Sequence, residues 1–314
     1  MDFGIIIQVV LLLVGFVFLI KGSDFFVDGA SSIASILRVP TIIIGLTIVA
    51  FGTSAPEAAV SITSSLTGSN ALAVSNVIGS NLFNMLMVIG IAALLGDLLM
   101  EKSVLNKDLP FLVGITVLFA IFIFVGWNIT NIEGIILLVI LIAYIIYLIL
   151  NVKKSSESTI VEKPKLSLPK SIIFMIVGLA GIVLGGDLVV DSASAIALAL
   201  GMSETLVGLT IVAIGTSLPE LVTSLTALKK GENQMVIGNV IGSNIFNILF
   251  VLGASSAISA IPLSPSLLTD VLFMLAVTVL CFIFGKTQEK YDKKEGVILV
   301  VLFIAYMAFA ILRN

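Results

Sequence analysis

The sequence predicts an all-α polytopic membrane protein with ten transmembrane helices, arranged as two five-helix repeats of inverted topology. Three observations predict this fold class. Of the 314 residues, 59% are hydrophobic and 11% are charged, a composition that a soluble domain of this size does not show. Ten apolar segments are long enough to cross a bilayer. Two motifs also recur at one constant offset, so each half of the chain carries a copy of both.

The ten segments follow one another with short connections. The first is the longest and is expected to cross obliquely, although Lys21 near its middle leaves open that it consists of two pieces. The segments lie near residues 4–36, 41–66, 70–95, 108–126, 129–151, 169–200, 204–228, 233–258, 264–285 and 294–312. Each half has five, and an odd number inverts the second half relative to the first.

Domain limits follow from this count. Residues 1–151 are expected to form the first five-helix repeat, and residues 169–314 the second. Residues 152–168, between the repeats, overlap the only extended polar stretch, KKSSESTIVEKPKLSLPK at 153–170. We expect this stretch to be a cytoplasmic linker, too short for a domain of its own.

Basic residues predict the orientation. With the N-terminus outside, the inward connections carry 14 of the 16 Lys and Arg residues, and only Lys21 and Arg313 remain. Because basic residues collect in cytoplasmic loops, both termini are expected outside the cell membrane. The 14 residues are Arg38, Lys102, Lys107, Lys153, Lys154, Lys163, Lys165, Lys170, Lys229, Lys230, Lys286, Lys290, Lys293 and Lys294.

An acidic motif occurs twice inside apolar sequence. Residues 45–57 read GLTIVAFGTSAPE and residues 208–220 read GLTIVAIGTSLPE, identical at eleven of thirteen positions at an offset of 163. Each copy ends on one acid, Glu57 or Glu220. A carboxylate at the middle of a bilayer costs about 3 kcal/mol unless it has a function or a partner. The matched pair therefore predicts a cation site.

Helical spacing converts these motifs into polar faces. Ala50, Thr53 and Ser54 share a face with Glu57, and the second copy repeats this arrangement. The segments NVIGSNLFN at 76–84 and NVIGSNIFN at 239–247 supply a second pair of stripes, with a polar residue every four positions. The acids at positions 24, 28, 187 and 191 are left outside the site, since a membrane-edge location explains them equally well. The equivalent and additional stripe residues are Ala213, Thr216, Ser217 and Glu220, then Asn76, Ser80 and Asn84, and Asn239, Ser243 and Asn247.

The donor chemistry favours a hard cation. Carboxylate, hydroxyl, amide and carbonyl oxygens suit Ca²⁺, Mg²⁺ or Na⁺, whereas the chain has no His and only one Cys, Cys281, which argues against zinc and copper. Ca²⁺ fits a flexible oxygen cage better than Mg²⁺ does. Prolines at 56 and 219 are expected to kink each helix and free backbone carbonyls beside the acids. Small-residue and amide positions such as Ser61, Ser224, Asn76 and Asn239 serve equally well as packing contacts.

These motifs carry a resemblance. GTSAPE and GTSLPE, each followed by a GSN segment, resemble the two α-repeats of the cation/Ca²⁺ exchanger superfamily, and most closely its prokaryotic Na⁺/Ca²⁺ exchanger branch. The resemblance covers both halves. It implies an ion site built by the second, third, seventh and eighth helices, and a first and sixth helix that slide across this core to alternate access.

The resemblance also implies individual roles. Glu57 and Glu220 would be the main Ca²⁺ ligands, aided by the carbonyls of Thr53 and Thr216. The hydroxyls of Ser54, Ser217, Ser80 and Ser243 would bind Na⁺ with the carbonyls of Ala50 and Ala213, and Asn84 and Asn247 would complete the centre. Some relatives have an aspartate where Asn247 stands, so this site has no third acid.

The expected function is a secondary antiporter that exchanges Na⁺ for Ca²⁺. Transported Ca²⁺ and Na⁺ are the expected ligands, with no organic cofactor, and the lipid bilayer is the expected partner, with no nucleic acid and no obligate protein partner. Ca²⁺/H⁺ exchange and a K⁺-assisted exchanger are the alternatives. A channel is disfavoured by the inverted repeat, and an enzyme by the absence of a nucleophile arrangement beside the acids.

Overall fold

The computed structural model describes residues 3–68, 70–155, 163–203, 207–263 and 265–313. The described part is helical apart from turns and two-residue strands. Its helices, numbered in chain order, are α1 Phe3–Leu37, α2 Thr41–Ile44, α3 Ala50–Thr53, α4 Ala55–Leu66, α5 Asn70–Phe83, α6 Ile89–Leu95, α7 Leu109–Gly126, α8 Asn131–Ser155, α9 Leu168–Ala199, α10 Ala213–Gly215, α11 Leu218–Lys229, α12 Asn233–Phe246, α13 Gly253–Ile258, α14 Pro265–Gln288 and α15 Lys293–Arg313. Wider π-helical turns occupy Gly45–Val49, Asn84–Val88, Val104–Asp108, Gly208–Val212 and Asn247–Leu252.

The predicted all-α membrane fold is confirmed. Within the described residues, eight helices are long and apolar enough to cross a membrane, and Thr41–Thr53 with Ala55–Leu66 forms a ninth, bent by 48°. Outward apolar side chains such as Val125, 77% exposed, need a lipid environment. The predicted segment 204–228 includes residues 204–206, which lie outside the described residues, so the count of ten stays a prediction. Residues 156–162 of the expected linker also lie outside them.

The first predicted segment is one continuous helix. Helix α1 runs over 35 residues without a break, which contradicts the two-piece alternative raised by Lys21. Lys21 is exposed, and its Nζ lies 3.9 Å from Asp24 Oδ2. At 1.5 Å per residue the helix is about 52 Å long, more than a bilayer needs, so a strong tilt is required.

Helices α1 and α9 pack with their backbones in direct contact. A Cβ atom placed on Gly22 would lie 2.7 Å from the carbonyl oxygen of Gly178, and one on Gly185 would lie 2.6 Å from the backbone nitrogen of Leu19. Only glycine permits such an approach, because any side chain would collide with the facing backbone. The pair therefore forms a closely fitted surface across the two halves.

Two short antiparallel strand pairs join the first half of the chain to the second. Strand β1, Leu98–Leu99, pairs with β4, Lys290–Tyr291, and β2, Asn128–Ile129, pairs with β3, Ile261–Pro262. Each pair takes one strand from each half. The half-buried Lys290 adds an ion pair to Asp97 at 2.7 Å, and this contact raises the pKa of Lys290 because it favours the charged ammonium.

Helix α12 lies at the centre of the protein. Every residue from Met235 to Phe246 is buried. Its Gly242 packs against the broken helix of the first half. A Cβ atom on Gly242 would lie 2.7 Å from the Cα and the carbonyl oxygen of Leu46. The second GSN motif is thereby pressed against the first GLTIVAFGTS motif, which brings polar residues from the two halves together.

Candidate cation-binding site

Both acids lie immediately after a break in a helix. Ser54, with φ −84° and ψ 8°, separates α3 from α4, and Ser217, with φ −95° and ψ 4°, precedes α11. Pro56 and Pro219 stand in the first turn after each break, where a missing N–H costs nothing. Glu57 and Glu220 occupy the same first turns and are fully buried. The predicted kink is therefore a full interruption, and it delivers one carboxylate from each half.

Hydrogen bonds cross between the halves. Ser54 Oγ donates to Glu220 Oε1 at 2.9 Å, and Ser217 Oγ donates to Glu57 Oε1 at 3.1 Å. Ser80 Oγ donates to the same Glu57 oxygen at 3.4 Å. Each acid is held by a serine of the opposite repeat, so the two carboxylates belong to a single centre.

Two threonines and Ser243 also link the halves. Thr53 Oγ1 donates to Asn239 Oδ1 at 3.1 Å and lies 3.4 Å from Ser243 Oγ. Thr216 Oγ1 donates to Asn76 Oδ1 at 3.4 Å. The Ala50 carbonyl accepts the Ser54 backbone N–H at 3.0 Å, and Thr53 Oγ1 lies 3.4 Å from the same oxygen. Ala213, its counterpart, begins α10.

Four buried oxygen atoms at this centre have no hydrogen-bond partner among the residues that the structure describes. They are Glu57 Oε2, Glu220 Oε2, Asn84 Oδ1 and Asn247 Oδ1. A buried acceptor without a partner costs about 1–3 kcal/mol, and the same cost recurs at equivalent atoms of both halves. Four oxygens carrying two negative charges are suited to a hard cation.

The amide oxygens are oriented by two asparagines that the sequence analysis missed. Asn84 Nδ2 donates to Asn244 Oδ1 at 3.2 Å, and Asn247 Nδ2 donates to Asn81 Oδ1 at 3.2 Å. Because each NH₂ group is bound, each Oδ1 atom is left for a ligand. The four-residue spacing of Asn76, Ser80 and Asn84 does not include position 81. Its spacing of three from Asn84 is also a same-face spacing and was the available signal.

Asn76 and Asn239 brace the acid-bearing helices from outside the centre. Asn76 Nδ2 donates to Ser61 Oγ, and Asn239 Nδ2 to Ser224 Oγ, both at 3.0 Å. The same amides lie 3.3 Å and 3.5 Å from the Glu57 and Glu220 carbonyl oxygens. For these four side chains the structure supports the packing interpretation.

Wider helical turns coincide with the repeated motifs. The segments Gly45–Val49 and Gly208–Val212 precede the two breaks, and Asn84–Val88 and Asn247–Leu252 begin at the amide residues of the site. Such turns occur mostly at functional sites because they shift side chains and carbonyls out of the regular helical positions. Their matched occurrence in both halves marks the same centre.

The acids at 24, 28, 187 and 191 lie outside this centre, as the sequence analysis expected. Lys230 Nζ binds Asp28 Oδ2 at 2.9 Å and lies 3.5 Å from Asp24 Oδ1, while Asp187 and Asp191 are exposed. Over the described residues, no three His, Cys, Asp or Glu side chains cluster as a metal site. Negative charge at the centre therefore comes from the two glutamates, with neutral oxygens around them.

Comparison with known proteins assigns the family. The model of the family described as "Sodium/calcium exchanger protein" matches residues 7–150 and 170–312. The chain belongs to the sodium/calcium exchanger family. The predicted superfamily is thereby confirmed, and this exchanger is a multi-pass membrane transporter that carries cations by antiport rather than an enzyme.

Relatives cover nearly the whole chain. The putative antiporter CaxA of Alkalimonas amylolytica is 38% identical over 96% of this chain and 98% of its own length. The sodium/calcium exchanger MaX1 of Methanosarcina acetivorans is 32% identical over 96% and 98%. The solved structure of the sodium-calcium exchanger NCX_Mj superposes with a TM-score of 0.86 at 32% identity, over 97% of this chain and 99% of that one.

Proposed function

We propose that this exchanger moves Ca²⁺ against Na⁺ by alternating access at the centre built on Glu57 and Glu220. The observation that carries the proposal is the set of four buried oxygens without partners, two of them carboxylate oxygens from opposite halves. Support also comes from the relatives MaX1 and NCX_Mj, which are both sodium/calcium exchangers.

Ca²⁺ would take the two free carboxylate oxygens. Glu57 and Glu220 supply two charges that match one Ca²⁺, and Asn84 and Asn247 supply two neutral amide oxygens. These are four of the six to eight oxygens that Ca²⁺ accepts. Carbonyls of Thr53 and its counterpart Thr216, beside the helix breaks, would complete the shell. The flexibility of a site formed between separate helices suits Ca²⁺ better than Mg²⁺.

Na⁺ would use the serine hydroxyls on the same carboxylates. Ser54 and Ser217 donate their protons to the glutamates, so their oxygen lone pairs remain available to a cation. Ser80 and Ser243 would add hydroxyls from the GSN segments, and the carbonyls of Ala50 and Ala213 would complete the shells. Na⁺ and Ca²⁺ then compete for the same two charges, and this competition couples their movements.

Alternating access would use the glycine-fitted pair α1 and α9. A helix pair whose backbones are in contact moves as a unit, and each member belongs to a different half. The proposed topology places both termini outside the cell membrane, with two five-helix repeats of opposite polarity. Sliding of the pair would uncover the centre on one side as it covers the other.

Proton coupling is the second candidate, because two buried carboxylates also accept protons. The deciding experiment is ⁴⁵Ca²⁺ uptake into proteoliposomes under separately imposed Na⁺, K⁺ and pH gradients. We expect an outward Na⁺ gradient alone to drive uptake, with no added effect of K⁺. Uptake that follows the pH gradient without Na⁺ would overturn the Na⁺ assignment and leave Ca²⁺/H⁺ exchange.

A further inference from the structure

Two equivalent clefts occur, one in each half, and neither is lined by a residue of the candidate cation site. One, of about 350 Å³, is lined by Lys107, Asp108, Phe111, Ile140, Ala143, Tyr144 and Tyr147. The other, of about 330 Å³, is lined by Thr269, Asp270, Phe273, Leu302, Ala305, Tyr306 and Phe309. Each lining residue of the first corresponds to one of the second at an offset of 162.

The two clefts share a buried acid beneath stacked aromatic rings. Tyr144 Oη donates to Asp108 Oδ1 at 2.9 Å, and Tyr306 Oη donates to Asp270 Oδ1 at 3.3 Å. Each tyrosine ring lies parallel to a phenylalanine ring, with centroids 4.5 Å and 4.9 Å apart. Asp108 and Asp270 are only 5% and 6% exposed. The internal symmetry therefore repeats an acid-and-aromatic pocket.

The second cleft contains its own cation. Arg313 donates from Nη1 to Asp270 Oδ1 at 3.1 Å and from Nη2 to Asp270 Oδ2 at 2.8 Å. Its guanidinium also lies 5.3 Å from the centre of the Phe309 ring. A buried carboxylate is stabilised by such a paired cation, so the acid of this half is satisfied internally.

In the first cleft, no described side chain takes the place of that arginine. Asn151 stands at the position equivalent to Arg313, and its Nδ2 donates to the Tyr147 carbonyl at 3.0 Å. Among the described side chains, no Lys or Arg lies within salt-bridge distance of Asp108. Lys107 instead places its Nζ 5.8 Å from the centre of the Tyr147 ring. Asp108 is thus a nine-tenths buried carboxylate, bound by Tyr144, in a cleft whose counterpart holds an arginine.

We propose that the first cleft binds the primary ammonium headgroup of an aminophospholipid, with the ammonium on Asp108 and the lipid phosphate beside Lys107. Asp108 lies about one turn inside the start of the span Val104–Gly126, the depth at which headgroups meet the acyl region. A primary ammonium donates hydrogen bonds to the carboxylate as Arg313 does, whereas a choline group has no N–H to donate. The aromatic lining adds attraction for a cation.

The test transplants the missing arginine. In delipidated exchanger, native mass spectrometry measures binding of phosphatidylethanolamine, phosphatidylcholine and phosphatidylglycerol at equal concentration. Asn151→Arg should fill the first cleft as Arg313 fills the second and weaken phosphatidylethanolamine binding about tenfold, the loss of one charge-assisted contact. Asn151→Gln, a neutral change at the same position, should bind as the parent does.

The converse variant opens the second cleft. Arg313→Asn should add one bound phosphatidylethanolamine per protein, and Asp108→Asn should remove the one in the first cleft. Equal binding by Asn151→Arg and Asn151→Gln would overturn the proposal, as would equal binding of the ethanolamine and choline lipids. A preference for phosphatidylglycerol would assign the lipid contact to the lysines instead. Because the readout is lipid binding, the result is independent of the coupling ion.

Discussion

The two halves carry the same candidate ion-binding residues but restrain their long helices differently. In the first half, α1 is tied to α11 by Lys230, which binds Asp24 and Asp28, and by a hydrogen bond of 3.1 Å between Ser23 and Thr223. The equivalent positions for α9 and α4 hold residues that cannot form these contacts. Thr67 replaces Lys230, Gly186 replaces Ser23, and Val60 replaces Thr223.

This difference separates two requirements of an exchanger. The proposed ligands occur at equivalent positions of both halves, because the acid and amide motifs are both repeated. Contacts of the moving helices need not be equivalent, because they set the relative stability of the two access states. Lys230, Asp24 and Asp28 form a cluster, the Lys230 cluster. For the described residues, Asp187 and Asp191 have no Lys or Arg within salt-bridge distance, so the second half repeats the two acids of this cluster but not its lysine.

The largest expected effect tests the equivalence of the acids. Glu57→Gln and Glu220→Gln should each reduce ⁴⁵Ca²⁺ uptake by roughly 100-fold or more, since a ligand matters more than the 10- to 100-fold typical of its supporting residues. Glutamine keeps the size but removes the charge. Asp187→Asn, the same change at an exposed acid outside the site, is the control. Strong transport by only one glutamine variant would break the symmetric assignment.

A smaller effect is expected from the asparagines that orient the amide oxygens. Asn81→Ala and Asn244→Ala should each weaken the apparent Ca²⁺ affinity by about 10-fold or more, with a smaller change in maximal rate, because the ligands remain but are no longer held. The Ca²⁺ dependence of initial uptake measures this. Asn128→Ala in strand β2 is the matched control. Unchanged affinity in both variants would mean that the amide pairs serve packing alone.

The Lys230 cluster offers a test of the difference itself. Lys230→Met should increase hydrogen–deuterium exchange in α1 around Asp24 and in the end of α11 by roughly two- to fivefold, the range for partly exposed ion pairs. Lys229→Met, an equally long exposed lysine one position earlier, should leave exchange unchanged. The same increase in both variants would show that general charge, and not this contact, restrains α1.

The smallest expected effect comes from building the cluster into the other half. Thr67→Lys places a cation where Asp187 and Asp191 can bind it. Turnover should fall by up to about fivefold, because the new contact stabilises one of the two access states over the other. Thr67→Met controls for the longer side chain. Initial uptake rates at saturating Ca²⁺ are the measurement. A faster rate in Thr67→Lys than in Thr67→Met would contradict the expectation that a cation bound to Asp187 and Asp191 slows exchange.

Much of the fold and the site could be predicted from sequence because the information is local. Apolar length identifies spanning segments, and a constant offset identifies repeats. Helical periodicity places Ser54 and Glu57 on one face without knowledge of any neighbour. The same reasoning could not find the interruption after Thr53 as a break, since a proline specifies a lost hydrogen bond but not how far the helix bends.

The sequence by itself determined that the helices lie in a lipid bilayer, that the chain is an internal repeat, and that each repeat carries one acid, Glu57 or Glu220, inside apolar sequence. Tertiary structure decided that Ser54 donates to Glu220 and that Ser217 donates to Glu57. It also decided that Asn244 and Asn81 accept from the amides of Asn84 and Asn247, and that Lys230 meets two acids of the first half. Periodicity defines the face on which a side chain lies. Which face meets which depends on helix rotation and crossing, and those are set by backbone contact at glycines such as Gly242 and Gly178.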